Sequence, residues 1–377
     1  MEDSIEFHER YKGKLEMKSK VPLRNRQDLS LAYTPGVAKV SEALAKNKDL
    51  AYTLTSKWNM IAVVSDGTAV LGLGDIGPYG ALPVMEGKAI LFKEFGGVDA
   101  IPICLDTTDT EEIIKTVRYI APAFGGINLE DISAPRCFEV EERLKKELDI
   151  PVFHDDQHGT AIVVLAGLIN ALKIVNKKID QIKVVINGAG AAGIAVSRIL
   201  LNYGVKNLLL LDSKGIVYKE REDVNKYKME VIKKSSIQGR GNLSDALVNA
   251  DVFIGVSKAN LVTKQMVGSM NDKAIIFAMA NPIPEIDPET AYMAGAAVVA
   301  TGRSDFPNQI NNVLAFPGIF RGVLDSRAGQ VTEKMKLEAA KALADLVKVP
   351  TAERIIPGPF EDGVASAVAN AVKRCVN

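Results

Sequence analysis

The chain has 377 residues, 47% of them apolar and 24% charged, with 30 glycines and 16 prolines; at roughly 150 residues per domain this is a folded protein of two or three domains, not a disordered chain or a single small module. Forty-six Lys plus Arg balance forty-six Asp plus Glu, so no overall field draws it to nucleic acid or to an anionic membrane, and neither is expected as a partner. Three cysteines, Cys104, Cys137 and Cys375, with no C-x-x-C pair, exclude a disulfide framework and a zinc ribbon and fit a reducing cytoplasm.

The first twenty residues mix acids and bases without the apolar middle of a signal peptide, so export is not expected. Leu50, Tyr52, Leu54 and Trp58 are apolar residues suited either to a core or to a contact between subunits of a homodimer or higher homo-oligomer. Two apolar runs, 60–64 and 69–74, flank an Asp66-Gly67 turn signal and predict a hairpin. A helix is predicted over 83–95, a strand over 100–104, and then a helix opened by a Thr108/Glu111 capping box, with Ile113, Ile114, Val117 and Ile120 on one face. A strand over 126–129, a helix with Cys137, Val140, Leu144 and Leu148 on its stripe, and a strand over 150–153 follow. The apolar run 161–169 is far shorter than the about 20 residues of a membrane span and belongs to a buried helix, 160–175. Strands are then predicted over 183–186, 207–211, 251–256, 274–278 and 297–301. This alternation predicts an α/β fold with largely parallel sheets covered by helices on both faces. The expected boundary gives domains 1–157 and 158–377, with C-terminal helices able to pack back on the first.

Gly188-Ala189-Gly190-Ala191-Ala192-Gly193 comes directly after a predicted strand and directly before a predicted helix. In G-x-G-x-x-G, Gly188 permits the tight turn, Gly190 lets a pyrophosphate approach the backbone, and Gly193 allows close helix packing. The N–H groups at Ala191 and Ala192 open the helix toward the phosphates. Asp212, at the end of the next strand, is placed to accept hydrogen bonds from an adenosine ribose, and Ser257 follows the strand 251–256. Asp212 favours NAD over NADP, while Ser213 and Lys214 beside it are able to accommodate a 2′-phosphate.

Glu130-Asp131 and Asp155-Asp156 each follow a predicted strand. If those strands are parallel neighbours, the four acids meet at one sheet edge as a hard-oxygen site for Mg²⁺ or Mn²⁺. The alternative is that they cap helices or lie on a solvated turn, and spacing alone does not choose. His154 and His158 lack partners at zinc spacing and read as supporting residues. Lys88 shares a helix stripe with Met85, Leu91, Phe92 and Phe95. Burial there lowers an ammonium's pKa and suits it to general-base work, unless the side chain snorkels to water.

The stretches LAYTPGV (31–37), SDG (65–67), LGLGDIG (71–77), Gly87-Lys88, LED (129–131), FHDDQHGT (153–160), the glycine run, Asn281-Pro282 and NNVLAFPG (311–318) together resemble malic enzymes, in their shorter prokaryotic form. The resemblance spans most of the chain and, with the glycine run, implies a Rossmann-type dinucleotide-binding domain plus an α/β substrate and metal domain. It implies oxidative decarboxylation of L-malate to pyruvate and CO2 with reduction of NAD(P), dependent on Mg²⁺ or Mn²⁺. It further implies Glu130, Asp131 and Asp156 as metal ligands, Lys88 as general base with Asp155 as its partner, Tyr33 as general acid, and Asn281 and Asn312 on the substrate carboxylate. One departure is Ala69, where longer members carry a substrate-binding arginine; Arg303 is one candidate to compensate. Two other functions are weighed: a metal-dependent dehydrogenase of another 2-hydroxy diacid such as isocitrate or tartrate, and a non-catalytic NAD-binding regulator.

Overall fold

A computed structural model describes residues 3–70 and 72–376; Leu71, the first residue of the 71–77 stretch, lies outside the described residues. Among the described residues, ten strands form two sheets. The first is β1 (Met60–Ser65), β2 (Asp99–Cys104), β3 (Gly126–Leu129) and β4 (Val152–His154), all parallel, in the order β2-β1-β3-β4. Ile61, Ala62, Val63 and Val64 are all fully buried, the continuous apolar run expected of a parallel strand covered on both faces.

Three predictions in this half need correction. The hairpin does not form: both edges of β1 are taken by β2 and β3, and the described part of the second run turns back on itself, with Val70 bridging Gly74 and Gly72 and Gly74 at positive φ. The helix predicted over 83–95 starts earlier, spanning Gly77–Gly96 with Pro83 inside it. The helix after β2 spans Thr110–Ile120 and is capped by Asp109, whose carboxylate accepts from Glu112 N–H at 2.9 Å, rather than by a Thr108 box.

The second sheet comprises β5 (Lys183–Asn187), β6 (Asn207–Asp212), β7 (Gly215–Ile216), β8 (Val252–Gly255), β9 (Ala274–Ala278) and β10 (Ala296–Thr301), in the order β10-β9-β8-β5-β6-β7. All pairings are parallel except β7 against β6. β7, two residues long, carries no periodic signal and was not foreseen. Reversal of strand order about β5 puts the switch point where the glycine run begins.

The helix predicted over 160–175 begins at Asp155 and runs to Val175, following β4 with no residue between them. It is long and apolar enough to cross a membrane, yet it is the core helix, mostly buried. It packs on the helices Ala191–Tyr203 and Glu333–Leu346, tying the two sheets together. Farther on, the helix Phe316–Ser326 packs back against Gly77–Gly96. Phe92 meets Phe316 at 4.6 Å and Phe320 at 5.2 Å between ring centroids, and Phe320 meets Phe153 at 5.9 Å. Such tilted and edge-on pairs each add about 0.5–1.5 kcal/mol beyond area burial.

The N-terminal helices are different. From Ser4 to Leu54 none of them buries a residue. Thirteen of the twenty-six exposed large hydrophobic side chains among the described residues fall before residue 59.

Candidate active site

Strands β3 and β4 are parallel neighbours with Leu129 opposite His154, so the acids that follow them reach the same carboxyl edge. Asp131 has φ 53°, a left-handed conformation that aspartate tolerates better than most residues, and its N–H donates to Asp156 Oδ2 at 2.8 Å. One carboxylate oxygen from each of Glu130, Asp131 and Asp156 lies within 4.8 Å of the others. Asn128 Nδ2 donates to Glu130 Oε2 at 2.8 Å.

Lys88 reaches this cluster from the helix Gly77–Gly96. Its Nζ lies 2.7 Å from Asp155 Oδ2, 2.8 Å from Glu130 Oε1 and 4.2 Å from the centroid of Phe316. Only 8% of Lys88 and none of Asp155 is exposed. Asn312 Nδ2 donates to the same Asp155 oxygen at 2.5 Å. A Cβ on Gly159 would overlap Asp155 Oδ1, so the glycine one helical turn after Asp155 keeps this carboxylate in place.

The electrostatics correct one expectation. Burial alone lowers the Lys88 pKa, but Asp155 and Glu130 outweigh it and hold the ammonium above its ordinary value; the side chain does not snorkel. Burial in turn pushes the acids up, Glu130 to about 7, Asp155 to about 7 and Asp156 to about 6, against the pull of Lys88. Crowded carboxylates stripped of water are unfavourable as anions, and a divalent cation relieves that cost. A set of three oxygen donors with no soft ligand fits Mg²⁺ or Mn²⁺. Burial holds both imidazoles neutral, His154 at about 4 and His158 at about 3.

Of the other residues singled out from the sequence, Ala69 N–H donates to Asp131 O at 3.0 Å, so this position contributes backbone and no guanidinium. A Cβ on Gly72 would stand 2.6 Å from Asn281 O, placing Gly72 against Asn281. Arg303 is engaged by Asp305 Oδ1 at 2.8 Å and by Pro282 O at 2.8 Å, so it is not a free guanidinium. Tyr33 is not brought to the cluster: it is 66% exposed, and no hydrogen bond or ring contact links it to Lys88, Asp155 or the metal set among the described residues.

At the second sheet, Gly188 has φ 122° and a Cβ there would crowd Val256 O, while one on Gly193 would overlap Gly188 O. A Cβ on Gly190 meets nothing within 4 Å; the backbone there faces open space, as a pyrophosphate-binding turn requires. Ala191 and Ala192 form the first turn of the helix Ala191–Tyr203. Ser257 Oγ accepts from Asn187 Nδ2 at 2.9 Å, and its N–H donates to Glu285 Oε1 at 3.1 Å. Asp212 is fully engaged: Arg221 donates to both oxygens at 3.0 and 2.8 Å, and Lys228 donates at 2.7 Å. Sequence reasoning missed Arg221, Lys228, Glu285, Asn128 and the buried Glu141; none carries a local motif.

The chain matches the profile of the malic enzyme N-terminal domain over residues 12–145 and that of the malic enzyme NAD-binding domain over residues 157–376. It is 58% identical over 377 residues to a bifunctional malic/malolactic enzyme of Bacillus subtilis (strain 168), covering 99% of this chain and 92% of the relative. It is 61% identical over 363 residues to an NAD-dependent malic enzyme of Geobacillus stearothermophilus, covering 96% and 76%. A crystal structure of an NAD-dependent malic enzyme from Thermotoga maritima superposes with a TM-score of 0.96 at 51% identity, covering 99% of both chains. With two largely parallel sheets, a buried lysine beside a triad of acids and an open glycine turn already in place, these matches show that the chain belongs to the malic enzyme family, the NAD(P)-dependent oxidative decarboxylases of malate.

Proposed function

We propose that Lys88 is the general base of this malic enzyme and that Glu130, Asp131 and Asp156 hold its divalent metal. The observation that carries this reading is the contact of Lys88 Nζ with Asp155 at 2.7 Å and Glu130 at 2.8 Å, beside the acid triad. Lys88 takes the proton of the C2 hydroxyl as the C2 hydride passes to nicotinamide. The C3–C4 bond then breaks to release CO2, and Tyr33 returns a proton to C3, giving pyruvate and NAD(P)H. Asp155 orients Lys88, and Asn312, bonded to Asp155, together with Asn281 faces the substrate carboxylate. A bound divalent cation would supply Lewis-acid polarisation of the substrate oxygen and offset the carboxylate field that keeps Lys88 protonated.

We assign residues 1–157 to substrate and metal and residues 158–377 to the cofactor, with Phe316–Ser326 returning to the first part. Gly188, Gly190, Ala191, Ala192, Gly193, Asp212 and Ser257 form the cofactor surface. Because Arg221 and Lys228 already neutralise Asp212, a 2′-phosphate meets less repulsion than a free acid would impose, and this supports use of NADP beside the favoured NAD. Three unpaired thiols, Cys104, Cys137 and Cys375, support a cytoplasmic setting.

We also assign the uncovered N-terminal face to a homodimer. Thirteen large apolar side chains exposed before residue 59 support this assignment, since a second copy would cover them. Tyr33 is one of those exposed side chains, and a second copy would be the means by which it reaches a Lys88 cluster.

The experiment is a spectrophotometric assay crossing malate, isocitrate and tartrate with NAD and NADP, with and without Mn²⁺. Reduced nicotinamide forms with malate and metal. Cofactor binding without turnover would instead leave the regulator reading standing, and turnover of isocitrate or tartrate in preference to malate would reassign the substrate.

A further inference from the structure

Behind the metal triad lies a second buried carboxylate that the reaction does not use. Glu141, on the helix Arg136–Glu147, is 4% exposed. Its oxygens accept from His154 N–H at 3.2 Å, Gln157 Nε2 at 3.4 Å and His158 Nε2 at 2.8 Å, and Lys145 Nζ lies at 2.7 Å. Three of these four donors belong to residues 154–158, the junction of β4 and the long helix that carries Asp155 and Asp156. Burial works against its ionisation, but the hydrogen bond from His158 and the ammonium of Lys145 outweigh that and hold the carboxyl well below the usual range.

The hydrogen bonds have a direction. Lys336 Nζ stands 3.2 Å from His158 Nδ1, which makes Nδ1 the acceptor and leaves the His158 proton on Nε2, pointing at Glu141. Gln157 Nε2 lies 3.0 Å from His154 Nδ1, so the His154 proton is on Nε2. That nitrogen is buried, has no hydrogen-bond partner among the described residues, and stands 3.3 Å from Asp156 Oδ2. The same Asp156 oxygen accepts from Asp131 N–H. Asp156 Oδ2 is thus approached from two sides, by the Asp131 N–H and by His154 Nε2.

We propose that Glu141 is a positioning residue for the metal site: through Gln157 it fixes the tautomer and orientation of His154, and His154 in turn sets the Asp156 carboxylate. Outer partners of this kind orient metal ligands and typically change metal affinity about 10- to 100-fold when removed. The proposal rests on Asp156 being a ligand, and the test separates the two.

The test is Mn²⁺ binding to the substrate-free enzyme, followed by the loss of the free-Mn²⁺ electron paramagnetic resonance signal, on Glu141→Gln and His154→Gln. Both variants should weaken Mn²⁺ binding by about 10- to 100-fold and leave NAD affinity unchanged. The double variant should be no weaker than either single one, since both act along one path. Glu141→Asp should recover part of the affinity. Folded Glu141→Gln with a lower melting temperature but the parent's Mn²⁺ affinity would make Glu141 merely structural and overturn the proposal. His154→Gln leaves Glu141 and its cations in place, so it decides the same point if Glu141→Gln does not fold; parental affinity there overturns the path through the imidazole. A parent enzyme that binds no Mn²⁺ would sink the ligand assignment itself.

Discussion

Lys88 Nζ and Asp155 Oδ2 lie 2.7 Å apart with almost no access to water, so removing either leaves the other as an unpaired buried charge. Lys88→Ala should therefore lower turnover of malate by at least about 10²- to 10⁴-fold, the range for loss of a general base, while NAD still binds at the separate second sheet. Cofactor fluorescence titration and steady-state kinetics on the same preparation check both halves. Near-normal turnover refutes the base.

Gly159 tests the same carboxylate from behind. A methyl there overlaps Asp155 Oδ1, so Gly159→Ala must turn Asp155 away from Lys88 and Asn312 or shift the helix. Activity should fall by about tenfold or more, since misplacement by an ångström can cost about 10²-fold, and the melting temperature should drop. A crystal structure of the variant with Asp155 unmoved and activity intact would contradict this account.

Tyr33 and Lys88 can be tested for residence on different copies. Tyr33→Phe and Lys88→Ala are each expected to be nearly inactive. Mixed under conditions that exchange subunits, they should recover up to about a quarter of parental activity, because half the dimers are mixed and each has one intact site. No recovery, with exchange demonstrated, places both residues in one chain; an active Tyr33→Phe removes Tyr33 from the reaction altogether.

Asp251 gives a pH test away from the active site. Burial opposes its ionisation, but bonds from Lys177 at 2.7 Å, Lys183 N–H at 2.8 Å and Asn271 at 3.0 Å outweigh that and hold its carboxyl below the usual value. A depressed folded pKa stabilises above the unfolded value of about 3.9 and loses that contribution as pH falls through the folded one. Asp251→Asn should melt a few degrees below the parent at pH 7, with the gap closing below about pH 4. Thermal melts at both pH values measure it, and a gap independent of pH would show that charge is not the cause.

The sheet strands were legible because buried parallel strands are continuous apolar runs: 126–129 and 274–278 coincide with β3 and β9. The glycine turn was legible because each glycine answers a local need, visible as φ at Gly188 and close packing at Gly193. The hairpin misled because turn chemistry is local whereas the choice of a partner for β1 is not. Lys88 lay on a visible stripe, but its charge state depends on Glu130 and Asp155 from other elements. Glu141 looked like one more acid on a charged helix; its donors come from β4 and the following helix, so no spacing announces it.

His154 ends β4 and Asp155 begins the long helix directly. A strand that turns into a helix without a connecting loop leaves the backbone no joint at that place. Whatever opening and shutting accompanies cofactor exchange is therefore articulated elsewhere. The spacing of Asp156 from Glu130 and Asp131 is settled when the chain folds, not rebuilt on every turnover.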